Sequence, residues 1–227
     1  LGSTASYAIR TDDLQSGTRV LNNLIVNVAC GGLTLKHVNA FEGNILVNLR
    51  RSDKIVHSYV LIQRGPSRGA SLSNNVFVHE PAVGDDAPPV WFVENRGGAA
   101  AATLEDLTMD GNLYWTPRFP EQARAGLAAV QTRGRDRGGL AADPRFRDPA
   151  RGDYRFADDS PMKARGLTGL HVDETGPQGR WRERFHGRLQ ATLSPPAGLI
   201  VDDRPVAVTA LANRPGAILR YTLDQSE

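Results

Sequence analysis

The sequence is poor in cysteine, in net charge and in long apolar runs. Cys30 is the one cysteine among 227 residues, so a disulfide within the chain is impossible. Because Cys30 lies in the apolar run VNVACGGLTL, we expect it to be a buried structural thiol. The formal net charge is only +2. Positive charge clusters in QTRGRDRGG (131–139) alone, and this run lacks the aromatic residues of an RNA-binding arm, so we expect a solvated loop.

No apolar run approaches the roughly 18 residues that a transmembrane helix needs. No segment resembles a signal peptide, so secretion would require a signal upstream of Leu1. A chain of 227 residues can bury a sizeable core in one or two domains, which excludes a peptide hormone or a small disulfide scaffold.

Four short segments begin with Asn followed by three apolar residues. Their leading residues, Asn23, Asn44, Asn75 and Asn112, are separated by 21, 31 and 37 positions. The segments are short, β-branched and bounded by Gly and Asn, which is typical of strands. Strands that stack in a solenoid would place one Asn above the next, where the amides can bond along the stack. We therefore expect an all-β chain forming a right-handed parallel β-helix, with a β-sandwich as the alternative.

The second half of the sequence changes character. EQARAGLAAVQ (121–131) favours a short amphipathic helix. Residues 143–166 are dense in turn residues and poor in strand signals, so we expect them to close the solenoid, which would occupy residues 1–175. Residues 176–190 are expected to be a linker. Residues 191–227 contain too few strands for a complete β-sandwich, so we expect the start of one and a chain that is a fragment of a larger protein.

Three segments resemble parts of known carbohydrate-active proteins. DPRFRDPARGDYRFADDSP (143–161) is similar to the segment that closes the β-helix in bacterial proteins of this class. IRTDDLQSGTRVLNNLIVN (9–27) resembles the coil that carries a catalytic aspartate in β-helix β-xylosidase and fucosidase/xylanase families. PGAILRYTLDQSE (215–227) is similar to the C-terminal module of chitobiases and to fibronectin-III-associated modules. These resemblances imply a secreted or periplasmic bacterial glycoside hydrolase that binds a carbohydrate. The charge pattern and the lack of long apolar runs predict that it binds neither nucleic acid nor a membrane.

The pair Asp12 and Asp13 is the first candidate for catalysis. Successive side chains of a strand point to opposite faces. If Ile9 and Thr11 point inward, Asp12 points outward and Asp13 does not share its face. The resemblance implies that Asp12 is the catalytic acid or nucleophile, and Asp13 is expected to be a turn residue or a neighbour of the substrate.

Glycoside hydrolysis needs a second carboxyl group. The related families carry it one coil further on, where this sequence has Lys36, and an ammonium group cannot replace it. Either the second acid comes from missing N-terminal coils of the same polypeptide, or this chain has changed or lost the chemistry of the related families. Outward-pointing residues near Asp12 are further candidates for substrate binding, and they are Lys36, His37, His57 and Tyr59.

Two other functions fit the same residues. A polysaccharide lyase would use Lys36 or His57 as the base, and Asp12 with Asp13 could hold a calcium ion. Hydrolysis itself requires no cofactor. The third possibility is a carbohydrate-binding or structural β-helix, in which Trp91, Trp115 or Trp181 could stack on sugars, although Trp91 and Trp115 are expected first as packing residues.

Overall fold

The described part of the chain is mostly β. A computed structural model describes residues 7–11, 15–28, 31–49, 58–63, 68–80, 88–94, 102–172, 191–194 and 209–212. The chain divides into two compact units, Leu1–Asp173 and Glu174–Glu227. Among the described residues there is a single α-helix, α1 (Pro120–Gln131), and it covers the segment predicted to be helical. The all-β prediction is confirmed at this level.

Thirteen strands of the first unit form three parallel sheets. In chain order they are β1 (Tyr7–Arg10), β2 (Arg19–Leu21), β3 (Leu24–Val26), β4 (Gly31–Leu35), β5 (Ala40–Glu42), β6 (Ile45–Val47), β7 (Val60–Ile62), β8 (Ala70–Ser73), β9 (Val76–Val78), β10 (Phe92–Glu94), β11 (Leu107–Asp110), β12 (Leu113–Trp115) and β13 (Leu140–Ala141). Sheet A has the order β1-β4-β7-β10, sheet B has β2-β5-β8-β11, and sheet C has β3-β6-β9-β12-β13. Each of β1 to β9 therefore pairs with the strand three elements further along the chain, and β13 pairs with β12. Up to β12 the chain visits A, B and C in turn, and we call each such passage a round.

A two-residue turn connects sheet B to sheet C in each of the first four rounds. The first turn residue has a left-handed backbone in every round, with φ of 53° at Asn22, 67° at Gly43, 55° at Asn74 and 75° at Gly111. Gly and Asn are the residues that adopt this conformation at low cost. The sequence thus places a suitable residue before each of the four leading asparagines.

The leading asparagines form a hydrogen-bonded ladder along this corner. The Asn23 backbone N–H and Nδ2 both donate to Asn44 Oδ1, at 3.0 and 2.9 Å. Asn44 donates in the same way to Asn75, and Asn75 to Asn112, at 2.9–3.0 Å. Asn44, Asn75 and Asn112 are fully buried. The predicted amide stack is confirmed, and it satisfies polar groups that would otherwise be costly to bury.

The inner faces of the sheets form one apolar core, which α1 closes at one end. Leu33, Phe41 and Leu46 from the second round are fully buried in it. Three residues of α1 with helical spacing, Ala123, Leu127 and Val130, pack against the same core. Gly126 lies directly on the Trp91 ring, since a Cβ there would overlap its atoms. The α-helix therefore acts as the end cover of the core.

Residues 143–172 pack beside sheet C. They form an antiparallel sheet of β14 (Phe146–Asp148), β15 (Asp153–Phe156) and β16 (Gly169–His171). Its Phe156 packs with Ile45 and Val76 on the outer face of sheet C, in a second apolar cluster. The expectation of little strand in this segment was wrong, because Phe146, Tyr154 and Phe156 alternate with charged residues and bury one apolar face.

The second unit is described over two strands. These are β17 (Ala191–Ser194) and β18 (Thr209–Ala212), which pair antiparallel. The predicted linker 176–190 and the segment 215–227, which resembles chitobiase modules, lie outside the described residues. The start of a sandwich module stays a prediction.

Candidate functional site

Two of the predicted site residues, Lys36 and His37, follow β4 at the corner between sheets A and B. Thr11 directly follows β1 and is 2% exposed. Its Oγ1 accepts from the Lys36 backbone N–H at 3.0 Å and donates to the Thr34 carbonyl at 3.1 Å. These bonds join the end of β1 to the end of β4.

The Asn39 side chain holds together backbone segments of the first and second rounds at this corner. Its Nδ2 donates to the Lys36 carbonyl at 2.6 Å and to the Gln15 carbonyl at 2.8 Å, and its Oδ1 accepts from the Thr18 N–H at 2.9 Å. His37 lies between these bonds with a left-handed φ of 52°. This conformation is uncommon for a non-glycine residue and is held here by the surrounding hydrogen bonds.

The predicted alternation of inward and outward side chains along β1 agrees with the structure as far as Thr11. Ile9 packs against the core, Arg10 is exposed and Thr11 is buried. The next residues, Asp12 and Asp13, lie outside the described residues, as does His57. Their predicted roles stay predictions.

Lys36 and His37 differ in exposure. His37 is half-buried, whereas Lys36 exposes only 4% of its surface. Both residues follow β4 at the corner between sheets A and B, but Lys36 does not lie on the open surface that was predicted for it. A buried ammonium group needs compensating polar or charged neighbours.

Tyr59 lies in the core, so its predicted outward orientation is wrong. The residue is 2% exposed, and its ring packs on Trp91 and Phe77 with centroids 5.0 and 5.9 Å away. Its hydroxyl donates to the Val78 carbonyl at 2.6 Å. Burial raises the pKa of Tyr59 well above its ordinary value, although hydrogen bonds to backbone partially oppose this. Tyr59 precedes β7, where the chain turns from sheet C to sheet A, and strand alternation does not apply at such a turn.

Sequence reasoning missed Asp136, which ends the asparagine ladder. The Asn112 N–H and Nδ2 donate to its two carboxylate oxygens at 3.1 and 3.2 Å, and the Tyr114 hydroxyl donates at 2.6 Å. Asp136 is fully buried, and this desolvation raises the pKa of its carboxyl group, an effect that the three donors oppose. Its distance of 24 positions from Asn112 fits the loose period of the ladder. The surrounding GRDRGG has neither Asn nor the three apolar residues that mark the other rounds.

A cavity of about 440 Å³ lies between α1 and β10. Its wall is mainly apolar, with Trp91 and Val130, and one side carries Glu94 and Arg133. Arg133 donates to Glu94 at 2.6 Å and also to Glu105, whose pKa its guanidinium group lowers to about 2. Glu94 also accepts from the Leu104 N–H at 2.6 Å. The charges beside this cavity are therefore paired within the protein.

The described residues contain no group of three or more His, Cys, Asp or Glu side chains that could hold a metal ion. Over the same residues, no helix is long and apolar enough to cross a membrane. Trp91 is 7% exposed in the core and Trp115 is half-buried, as expected for packing residues, while Trp181 lies outside the described residues.

Comparison of the chain with protein-family models, curated proteins and solved structures finds no match.

Proposed function

We propose that the three stacked sheets form a right-handed parallel β-helix. Support comes from the strand order, in which every third strand pairs in parallel, and from the asparagine ladder at the corner between sheets B and C. Such a stack offers long outer faces on which side chains of successive rounds lie about 4.8 Å apart. Extended polymers, polysaccharides among them, suit a surface of this kind.

We infer that the protein is a glycoside hydrolase fragment acting at the A–B corner, with Asp12 as its catalytic acid or nucleophile. The observation that carries this proposal is the bond between Thr11 Oγ1 and the Lys36 N–H. Thr11 immediately precedes Asp12 in the sequence, and this bond holds Thr11 against the backbone of Lys36, which immediately precedes His37. In this proposal the Asp12 carboxyl group acts together with the Lys36 ammonium and the His37 imidazole, which are groups able to hold a sugar hydroxyl and to move protons.

The other candidates have supporting roles in this proposal. Asp13, His37 and His57 border the substrate, and Lys36 contributes its positive charge from beneath the corner. Tyr59 has no part, because it packs in the core. The second carboxyl group that hydrolysis requires comes from elsewhere in the same polypeptide. We also propose that the protein acts outside the bacterial cytoplasm, where polysaccharides are found.

One observation favours a polysaccharide lyase as the second candidate. Lys36 is almost fully buried at the corner, and a buried cation next to a substrate would stabilise the carboxylate of a uronate sugar. In this mechanism His57 removes the proton beside that carboxylate, and Lys36 keeps its positive charge. The products would carry a carbon–carbon double bond that hydrolysis does not create.

The test offers the chain aryl glycosides and uronate-containing polysaccharides. Released reducing ends and ultraviolet absorbance of unsaturated products are followed separately. Reducing ends without the absorbance support hydrolysis, whereas both signals together support the lyase. The absence of both signals on every substrate, for this chain and for a longer parent chain, contradicts either activity and favours a binding or structural β-helix.

A further inference from the structure

The three parallel sheets share one open edge, formed by the outer sides of β1, β2 and β3, which we term the first-coil edge. These strands are terminal in sheets A, B and C, and no described strand pairs with their second sides. The core is incompletely covered there. Ile9 and Val20 are half-buried, whereas their partners on the next round, Leu33 and Phe41, are fully buried.

The asparagine ladder has a direction, and the first-coil edge presents its acceptor end. Asn44 Oδ1 accepts two bonds from Asn23, and the Oδ1 atoms of Asn75 and Asn112 each accept two bonds from the round before. Asn23 donates from its N–H and Nδ2 to Asn44, and Nδ2 also donates to the Leu21 carbonyl at 3.1 Å. Among the described residues, no donor reaches Asn23 Oδ1, so this acceptor faces the open edge.

A second copy of the chain does not supply the missing donor. Two first-coil edges meeting each other would bring Asn23 Oδ1 against another Asn23 Oδ1. The far end of the ladder is Asp136, whose ionised carboxylate also only accepts hydrogen bonds, and it is fully buried. Both ends of the ladder are acceptors, which disfavours end-to-end stacking of this chain.

We propose that the first-coil edge binds one further parallel coil of the same polypeptide, and that this coil carries an Asn at the ladder position. Each sheet A strand is preceded in the chain by a sheet C strand, as β4 is by β3, β7 by β6 and β10 by β9. A strand that precedes β1 would therefore fall on the open side of β3. Its Asn would donate from its N–H and Nδ2 to Asn23 Oδ1. This inference uses the strand order and the ladder, and is independent of the proposed hydrolysis.

The experiment places a copy of residues 19–30 directly before Tyr7 of the otherwise complete chain. This copy contains a sheet B strand, the Asn turn and a sheet C strand. Tyr7 pairs in register with Gly31, so the copy is joined to β1 by a link of native length. The matched control carries Asn23→Asp within the copy, which removes the amide donor and keeps the size. Thermal unfolding and hydrogen exchange of residues 19–27 are measured under reducing conditions for the original chain and both fusions.

We expect the Asn copy to raise the unfolding midpoint by about 2–4 °C or more and to slow exchange in residues 19–27, with the Asp copy giving clearly less of both. Sedimentation should show monomers. An Asn copy that does not raise the midpoint, or equal gains from the two copies, would overturn the proposal. Because neither readout involves substrate, an inactive parent chain leaves the outcome unaffected.

Discussion

Asn112 and Asp136 are joined by two hydrogen bonds, of 3.1 Å from the backbone N–H and 3.2 Å from Nδ2, and this contact ends a ladder of four asparagines. The last acceptor is a carboxylate where the earlier rounds use a carboxamide. The contact also lies next to α1, which covers the end of the core. The ladder, its carboxylate end and the helical cover thus occupy the same end of the stack.

The centre of the ladder should be far more sensitive to mutation than its first member. Asn75→Ala leaves the two donors of Asn44 without Asn75 Oδ1 and the Phe41 carbonyl without its Nδ2 donor, all in a buried site. We expect a loss of roughly 3 kcal/mol in unfolding free energy, measured by urea denaturation. Asn23→Ala, the matched control at the half-buried end, should cost about 1 kcal/mol. Equal losses would show that the ladder is not the stabilising element.

Asp136 should make stability depend on pH. Burial, helped by the charge of Asp110, raises the pKa of Asp136 in the folded chain. A raised carboxyl pKa contributes stability that is complete below the ordinary value near 3.8 and is lost as the pH rises through the folded-state value. Relative to Asp136→Asn, the original chain should therefore gain stability on acidification, with a slope of at most about 1.4 kcal/mol per pH unit. Urea denaturation of both chains from pH 4 to pH 8 measures this difference, and a difference that stays constant would refute the assignment.

The packing of Tyr59 predicts an effect on stability and not on substrate binding. Tyr59→Phe removes the bond to the Val78 carbonyl but keeps the ring contacts with Trp91 and Phe77. We expect the unfolding free energy to fall by about 1–2 kcal/mol, because a buried carbonyl loses its donor. KM for any substrate found should remain unchanged. A raised KM with unchanged stability would restore Tyr59 to the substrate groove.

The cover of the core by α1 can be tested at Gly126. An alanine at this position would normally favour the helix by about 1 kcal/mol. Here its Cβ overlaps the Trp91 ring, so Gly126→Ala should lower the unfolding free energy and change the near-ultraviolet signal of the tryptophan. Ala125 is exposed on the same helix, and Ala125→Gly should lower the unfolding free energy without altering that signal. If Gly126→Ala stabilised the chain, α1 would not be packed on Trp91.

The sequence contains the information for the ladder but not for every site residue. Each Asn is followed by the apolar residues of its own strand, so a local pattern predicts both the strand and the stacked amide. The prediction for Tyr59 was wrong because this residue precedes its strand. The direction of a side chain between two strands depends on tertiary packing, which alternation along a strand does not describe. Asp136 was missed because it replaces the ladder Asn in a round that has almost no strand. The role of Asp136 depends on its contact with Asn112 in the preceding round, which lies 24 residues away in sequence.

The central claim, that Asp12 carries catalysis at the A–B corner, is tested most directly by comparing Asp12→Asn with Asp13→Asn. Both changes remove one charge from adjacent residues and preserve size, so unfolding midpoints should remain close to that of the original chain. On a substrate for which the original chain releases reducing ends, we expect Asp12→Asn to lower kcat by about 10²–10⁴-fold and Asp13→Asn to lower it far less. Full activity in Asp12→Asn, or an equal loss in both variants, would contradict the account.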